Sequence, residues 1–227
     1  MHIGIILDGN RRYARRLLLN PLKGHESGVE VVKDLFKWAI ELGVDELSLF
    51  CFSTENFGRK KEEVDYLLSL MGSEFSKLKD SPKVMENKIR MRFIGRLSLF
   101  PQSLQSLMSE LESKTKGNGR LTVNFCVAYG GRAEIVDAAK KIADMAQRGI
   151  IGPEQITEKM FMDSLYLNSE PDLIIRTSGE KRLSNFLTFQ STYSELHFID
   201  KLWPEFTKDD LQKAIEDYNQ RDRRKGI

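Results

Sequence analysis

Short apolar runs alternate with amphipathic helical stripes along most of this chain, and that alternation restricts the fold more than any other feature. The runs lie at residues 3–7, 47–52, 89–94, 121–127 and 173–175, with a weaker one at 196–199. They read as strands. Between them, Val29, Val32, Phe36, Ala39 and Ile40 make one helical face, and Val64, Leu67, Leu68, Met71, Phe75 and Leu78 make a second. Leu104, Leu107, Met108 and Leu111 form a third stripe, and Ile135, Ala138, Ala139, Ile142 and Ala143 a fourth. A last helix over 211–218 is preceded by Thr207 and Asp210 at capping-box spacing. Strands that alternate with helices predict an α/β domain around a mostly parallel sheet.

A chain of 227 residues is long enough for one sizeable core, so residues 1–227 are expected to form a single domain. No apolar run reaches the roughly 18 residues that span a bilayer. The first strand begins at Ile3, which leaves no room for a secretory signal and points to a cytoplasmic protein. A net charge of +2 is too small for bulk attraction to nucleic acid, so any anion site must come from local clusters of Arg and Lys. Cys51 and Cys126 both fall in apolar runs and read as buried, reduced thiols without chemistry.

In parallel α/β folds ligands collect beyond the C-terminal ends of the strands, so those positions should carry whatever chemistry the chain has. After the first run stand Asp8, Gly9, Asn10, Arg11 and Arg12; after the second, Ser53 to Arg59; after the fourth, Tyr129 to Arg132; after the fifth, Arg176 to Arg182, then Ser184 and Asn185. Each block taken alone also reads as an ordinary turn or helix cap. Together they bring the Asp8 carboxylate, hydroxyls, amides and guanidinium groups to one sheet edge, the donor set of a magnesium-bound diphosphate.

These blocks resemble the cis-prenyltransferases. The resemblance runs through 2–10, 52–57, 124–132, 176–180, Tyr193 to Glu195, and Trp203-Pro204, in the family's order. It implies a sheet flanked by helices that enclose a hydrophobic tunnel. The implied reaction condenses isopentenyl diphosphate units onto a C15 or C20 allylic diphosphate, with Mg²⁺. Its product would be a long polyprenyl diphosphate, the precursor of a lipid glycosyl carrier.

By the same resemblance, Asp8 is the central metal and diphosphate residue and Glu195 the second metal carboxylate. Gly9, Asn10, Arg11, Arg12, Tyr13 and His25 would surround the allylic diphosphate. Arg176, Lys181, Arg182, Leu183 and Ser184 would hold isopentenyl diphosphate. Ser53, Thr54, Glu55, Asn56, Phe57 and Arg59 belong to the block that manages proton removal. Because a neutral amide is a poor base, Asn56 is expected to orient the proton acceptor, with a phosphate oxygen and Asp8 as the rival acceptors. The tail, Arg224-Lys225-Gly226, matches an Arg-x-Gly motif that reaches the isopentenyl site across a homodimer. Its basic cluster interleaves no aromatic residue, which argues against nucleic acid.

Two departures stand out. Arg11 occupies a position that is Gly in many bacterial members, giving the Asn-Arg-Arg form of archaeal and eukaryotic-like ones. Pro21 stands where an allylic-site Arg is often found, leaving Lys23 as the neighbouring charge. The rival reading within the family is a non-catalytic partner subunit, and such partners tend to lose the first Asp, the Arg cluster or the tail motif. A trans-type synthase is excluded because Asp209-Asp210 lacks the third Asp of that pattern. A lipid product implies contact with a membrane surface, although no strongly basic amphipathic helix marks where.

Overall fold

The computed structural model describes residues 1–221. Six strands form one sheet, β1 (His2–Ile6), β2 (Glu46–Ser53), β3 (Ile89–Ile94), β4 (Leu121–Tyr129), β5 (Leu173–Arg176) and β6 (Glu195–Phe198), in the order β3-β4-β2-β1-β5-β6. Every pairing is parallel. The sequence reading therefore understated the case, since the sheet is wholly rather than mostly parallel. The crossovers carry α1 (Asn10–Arg16), α2 (Lys23–Glu41), α3 (Lys61–Lys79), α4 (Pro82–Glu86), α5 (Gln102–Thr115), α6 (Gly131–Gln147) and α7 (Glu158–Ser164), and α8 (Lys208–Gln220) follows the last strand. The short helices α1, α4 and α7 were not legible as stripes, being too brief to show a period.

Alternation along the strands divides the core. Ile3, Ile5, Leu121, Val123, Phe125, Leu173 and Ile175 face a large apolar layer that includes Leu35 and Phe36 of α2, Phe75 of α3, Met108 of α5 and Leu211 of α8. Ile6, Cys126 and Ile174 point the other way, onto Tyr129, Leu167, Phe186 and Leu187. A strand buried on both faces reads as a nearly continuous apolar run, which is why β1 and, despite Thr122 and the buried Asn124, β4 were conspicuous in the sequence. The predicted cap of α8 is present, with Thr207 Oγ1 accepting from the Asp210 amide at 3.4 Å and the Asp210 carboxylate accepting from the Thr207 amide at 2.9 Å.

Two local departures from regularity lie at the C-terminal sheet edge. The pairing of β2 with β4 shifts register between Phe50 and Ser53, a bulge that re-aims the residues leading into the following 3₁₀ turn. In the stretch after β5, Ser178 (φ 81°), Ser184 (φ 49°) and Asn185 (φ 68°) all adopt the left-handed region. Strained non-glycine backbone gathers where surrounding contacts over-determine it, and that is commonly at a functional site.

Candidate active site

Register decides which side chains meet. Ile6 is level with Arg176, so β1 delivers Asp8 beside the end of β5. The Asp8 main-chain carbonyl accepts from the buried Thr177 hydroxyl at 2.7 Å and from the Trp203 amide at 2.9 Å. With its backbone pinned, Asp8 turns its carboxylate to Arg176 Nη2 at 2.9 Å and to Arg12 Nη2 at 3.4 Å. Burial works to raise the Asp8 pKa, but hydrogen bonds from Arg176 and Ser178 and the charges of Arg176 and Arg12 outweigh it and hold the carboxyl below its ordinary range. Asp8 is therefore an anion at any physiological pH.

The Arg176 side chain is only 5% exposed, and its Nη1 donates to Ser184 Oγ at 2.7 Å and to the Arg182 carbonyl at 2.6 Å. One guanidinium thus ties the first strand end to the turn that follows the fifth. Arg12 ties the same two regions from outside, donating to Ser178 Oγ at 2.5 Å and to the Ser178 carbonyl at 3.2 Å, with Glu180 at 3.5 Å. Gly9 makes the turn possible. Its φ is +113°, and a Cβ there would stand 3.0 Å from Leu202, so only glycine fits without displacement.

A cavity of about 720 Å³ begins at this corner and runs between α2, α3 and the sheet. Asp8, Asn56, Arg176, Arg182 and Ser184 stand at its polar end. Val29, Val32, Leu67, Met71 and Leu78 give the rest an apolar wall, interrupted by Lys33 Nζ and Glu74 Oε2 at 2.9 Å across the two helices. Among the described residues, Asn10 Oδ1, His25 Nε2 and Arg176 Nε are buried and lack a hydrogen-bond partner. All three residues line the cavity. Buried polar atoms rarely go unpaired, so three at one corner point to a polar ligand. Burial and the nearby Arg59 and Arg11 lower the His25 pKa to about 4, which leaves a neutral imidazole there.

Of the sequence-predicted residues, Ser53, Glu55, Asn56 and Arg59 also border the cavity. The Asn56 side-chain oxygen accepts from the Ser53 amide at 3.1 Å, so its amide nitrogen is the group left for a ligand. Arg11 and Arg59 share Glu63, at 3.3 and 2.8 Å. Gly9, Arg11, Arg12, Tyr13, Thr54 and Lys181 do not line the cavity. Three expectations need correction. Phe57 does not border the cavity but packs against Phe52 at 4.9 Å and Phe100 at 5.8 Å, because the 3₁₀ turn that follows β2 rotates it into the core. Leu183 packs on the apolar layer of Phe186 and Leu187. Glu195 is level with Leu173, at the N-terminal end of the parallel sheet, while Asp8 lies beyond the C-terminal end of β1. Its carboxylate pairs instead with Arg221 at 2.6 Å, so within one chain Glu195 and Asp8 do not form a metal pair. Arg224 and Gly226 lie outside the described residues.

Sequence reasoning placed Thr177 and Asn185 in the block after the fifth run and Trp203 in the resemblance, but assigned none of them a part in building the site. Asn185 donates to Glu55 at 3.0 Å and accepts from the Arg132 amide at 2.8 Å, joining three strand ends. The Trp203 indole donates to the Gly28 carbonyl at 2.9 Å and fastens α2 to the corner. Their signal was position after a strand, but their partners are distant in sequence.

A braced polar corner that opens into an apolar cavity suits a charged head group joined to a hydrocarbon tail. Comparisons with known proteins agree. Residues 6–226 match the Prenyltransf family model, that of undecaprenyl diphosphate synthase. The chain is 44% identical, over 99% of its length and 82% of the relative's, to the tritrans,polycis-undecaprenyl-diphosphate synthase (geranylgeranyl-diphosphate specific) of Methanocaldococcus jannaschii. It is 42% identical to the isoprenyl transferase of Thermus thermophilus, over 99% of this chain and 88% of that one. The crystal structure of lavandulyl diphosphate synthase from Lavandula x intermedia, in complex with dimethylallyl diphosphate, superposes with a TM-score of 0.95 at 37% identity, covering 100% and 98% of the two chains. The chain belongs to the cis-prenyltransferase family and is a prenyltransferase of the prenyl diphosphate synthase type.

Proposed function

We propose that this enzyme adds isopentenyl diphosphate units to geranylgeranyl diphosphate, a C20 starter, to give a long cis-polyprenyl diphosphate that serves as precursor of a lipid glycosyl carrier. The observation that carries the reading is the single cavity with Asp8, Arg176 and Ser184 at one end and the α2–α3 hydrocarbon wall along the rest. The choice of C20 over C15 rests on the relative from Methanocaldococcus jannaschii, whose name specifies geranylgeranyl diphosphate.

In this reading Asp8 holds Mg²⁺ through its ionised carboxylate. Magnesium takes few protein ligands and completes its shell with water and phosphate oxygens, so one carboxylate beside a diphosphate suits it. When bound, the ion would supply charge neutralisation for the departing diphosphate. Arg12, Asn10 and His25 hold the allylic diphosphate, and Arg182, Lys181 and Ser184 hold isopentenyl diphosphate next to it. Arg176 keeps the two loops in register, so the donors are in place before charge develops on the leaving group. Asn56 directs its amide toward the incoming substrate, and the proton lost from that substrate passes to a phosphate oxygen. The apolar cavity excludes water from the carbon that loses its diphosphate.

The resemblance of the Arg224-Lys225-Gly226 tail further supports a homodimer in which the tail completes a neighbour's isopentenyl site. Incubation with Mg²⁺, labelled isopentenyl diphosphate and C10, C15 or C20 starters, followed by chromatography of extracted lipids, tests activity, starter and length together. A long product from the C20 starter is expected. No elongation of any starter would defeat the reading.

A further inference from the structure

We propose that the tip between α1 and α2, Leu17-Leu18-Leu19, docks the enzyme on an anionic bilayer surface. The inference rests on the reading above that the product is a membrane lipid. It locates the surface at which that product leaves.

The tip is built in an unusual way. The Leu19 amide donates to the Ala14 carbonyl at 2.9 Å and the Leu18 amide to the Arg15 carbonyl at 3.0 Å, the paired bonds of a Schellman motif closing α1. That motif puts its C′ residue in the left-handed region, where glycine is the usual choice. Leu18 holds the position with φ 58°, and it is 95% exposed. Neither backbone geometry nor packing explains a leucine there. Leu17 and Leu19, at 49% and 50% exposure, complete a convex apolar cap on a hydrogen-bonded backbone.

Charge identifies the occupant. From Gly9 to His25 the chain carries Arg11, Arg12, Arg15, Arg16 and Lys23 and no acidic residue. Arg16 pairs with Glu205 and Lys23 with Glu26 at 2.9 Å, whereas Arg15 has no ion-pair partner among the described residues. A leucine cap above a basic collar is the pattern of an element that inserts at the headgroup boundary of an anionic membrane. A second protein would need far more surface than three side chains offer, because stable interfaces bury about 1,200 Å² or more in total. The location also suits product release. Asn10 at the start of α1 and His25 near the start of α2 both line the cavity, and a seven-residue helix carries the tip only about 10 Å from that mouth. The membrane contact thus belongs to a loop, where the sequence offered no strongly basic amphipathic helix.

Co-sedimentation of the full chain with phosphatidylcholine vesicles, with and without phosphatidylglycerol, tests the proposal. Asparagine tolerates the left-handed region, so Leu18→Asn keeps or raises thermal stability and any lost binding is not unfolding. Partition onto anionic vesicles is expected to fall about tenfold in Leu18→Asn. In Arg15→Gln it should fall about fivefold on anionic vesicles and stay unchanged on neutral ones. Condensation of a short starter in detergent solution should be unaffected in both. Equal sedimentation of Leu18→Asn and the parent chain, or no sedimentation of the parent chain, overturns the docking role. Vesicle binding that follows the expected pattern in a chain with no condensation activity would uphold docking and defeat the functional reading.

Discussion

The anion corner and the helical wall of the same cavity are held by opposite means. At the corner, Asp8, Arg12, Arg176, Ser178, Ser184 and Asn185 share directional hydrogen bonds between loops far apart in sequence, and left-handed residues hold their turns. Along the wall, Val29, Val32, Leu67 and Met71 present interchangeable hydrocarbon, with Lys33 and Glu74 as the charged interruption. On the proposed function, the lesson is that reactivity depends on a few specifically placed groups. The space for the hydrocarbon is distributed over many replaceable ones, so damage to the two regions should look different.

The sharpest separation comes from Asp8→Ala. Turnover should drop by about 10³-fold or more, since the carboxylate proposed to hold Mg²⁺ is lost. The fold should survive at a cost of ~1–3 kcal/mol, because Arg176 keeps its bonds to Ser184 and Arg182. Steady-state kinetics beside thermal melting checks both. Next, Arg176→Lys should lower kcat by about 10²-fold, because a point charge cannot serve Asp8, Ser184 and the Arg182 carbonyl together. Near-normal kcat would show that the bracing is incidental.

Stability changes come next in size. Gly9→Ala should cost ~1–3 kcal/mol in denaturant unfolding, through its φ of +113° and the contact with Leu202. His25 gives the corner a pH signature. Its folded pKa near 4 lies below the ordinary value of 6.5, so between those values the unfolded chain binds more protons. Stability therefore falls as pH drops from 6.5 toward 4, by ~1–2 kcal/mol after allowing for partial exposure. His25→Gln should flatten that slope in melts recorded across the same pH range. The smallest energetic effect is expected at the wall. Glu74→Leu leaves Lys33 its Glu30 partner at 2.7 Å and removes a charge from the hydrocarbon path. Product chromatography should show a shift to longer chains with little change in condensation rate, and an unaltered ladder would show that the ion pair does not touch the tail.

The two regions also differed in how readily the sequence disclosed them. β1, β2 and β4 were legible because strands largely covered on both faces are mostly apolar, broken only by a buried polar residue such as Ser48 or Asn124, and the stripes of α2 and α3 kept a clean helical period. Asp8 and Arg176 were legible because parallel topology makes strand ends converge. The roles of Thr177 and Trp203 were not, since a hydroxyl or an indole shows its partner only after Asp8 has been placed beside it. The expected approach of Glu195 to Asp8 within one chain was not met, for the complementary reason. Glu195 follows a loop and opens a strand, and the parallel register sets it at the opposite end of the sheet from Asp8. Phe57 failed because one turn of 3₁₀ helix reverses the face its neighbours share.

The most direct test of the central claim is a crystal structure of the chain with Mg²⁺ and a thio-analogue of geranylgeranyl diphosphate. The diphosphate is expected against Asp8, Asn10 and Arg12, and the hydrocarbon between α2 and α3 alongside Val32 and Met71. A diphosphate bound away from Asp8, or a tail lying outside the α2–α3 cavity, would contradict that claim.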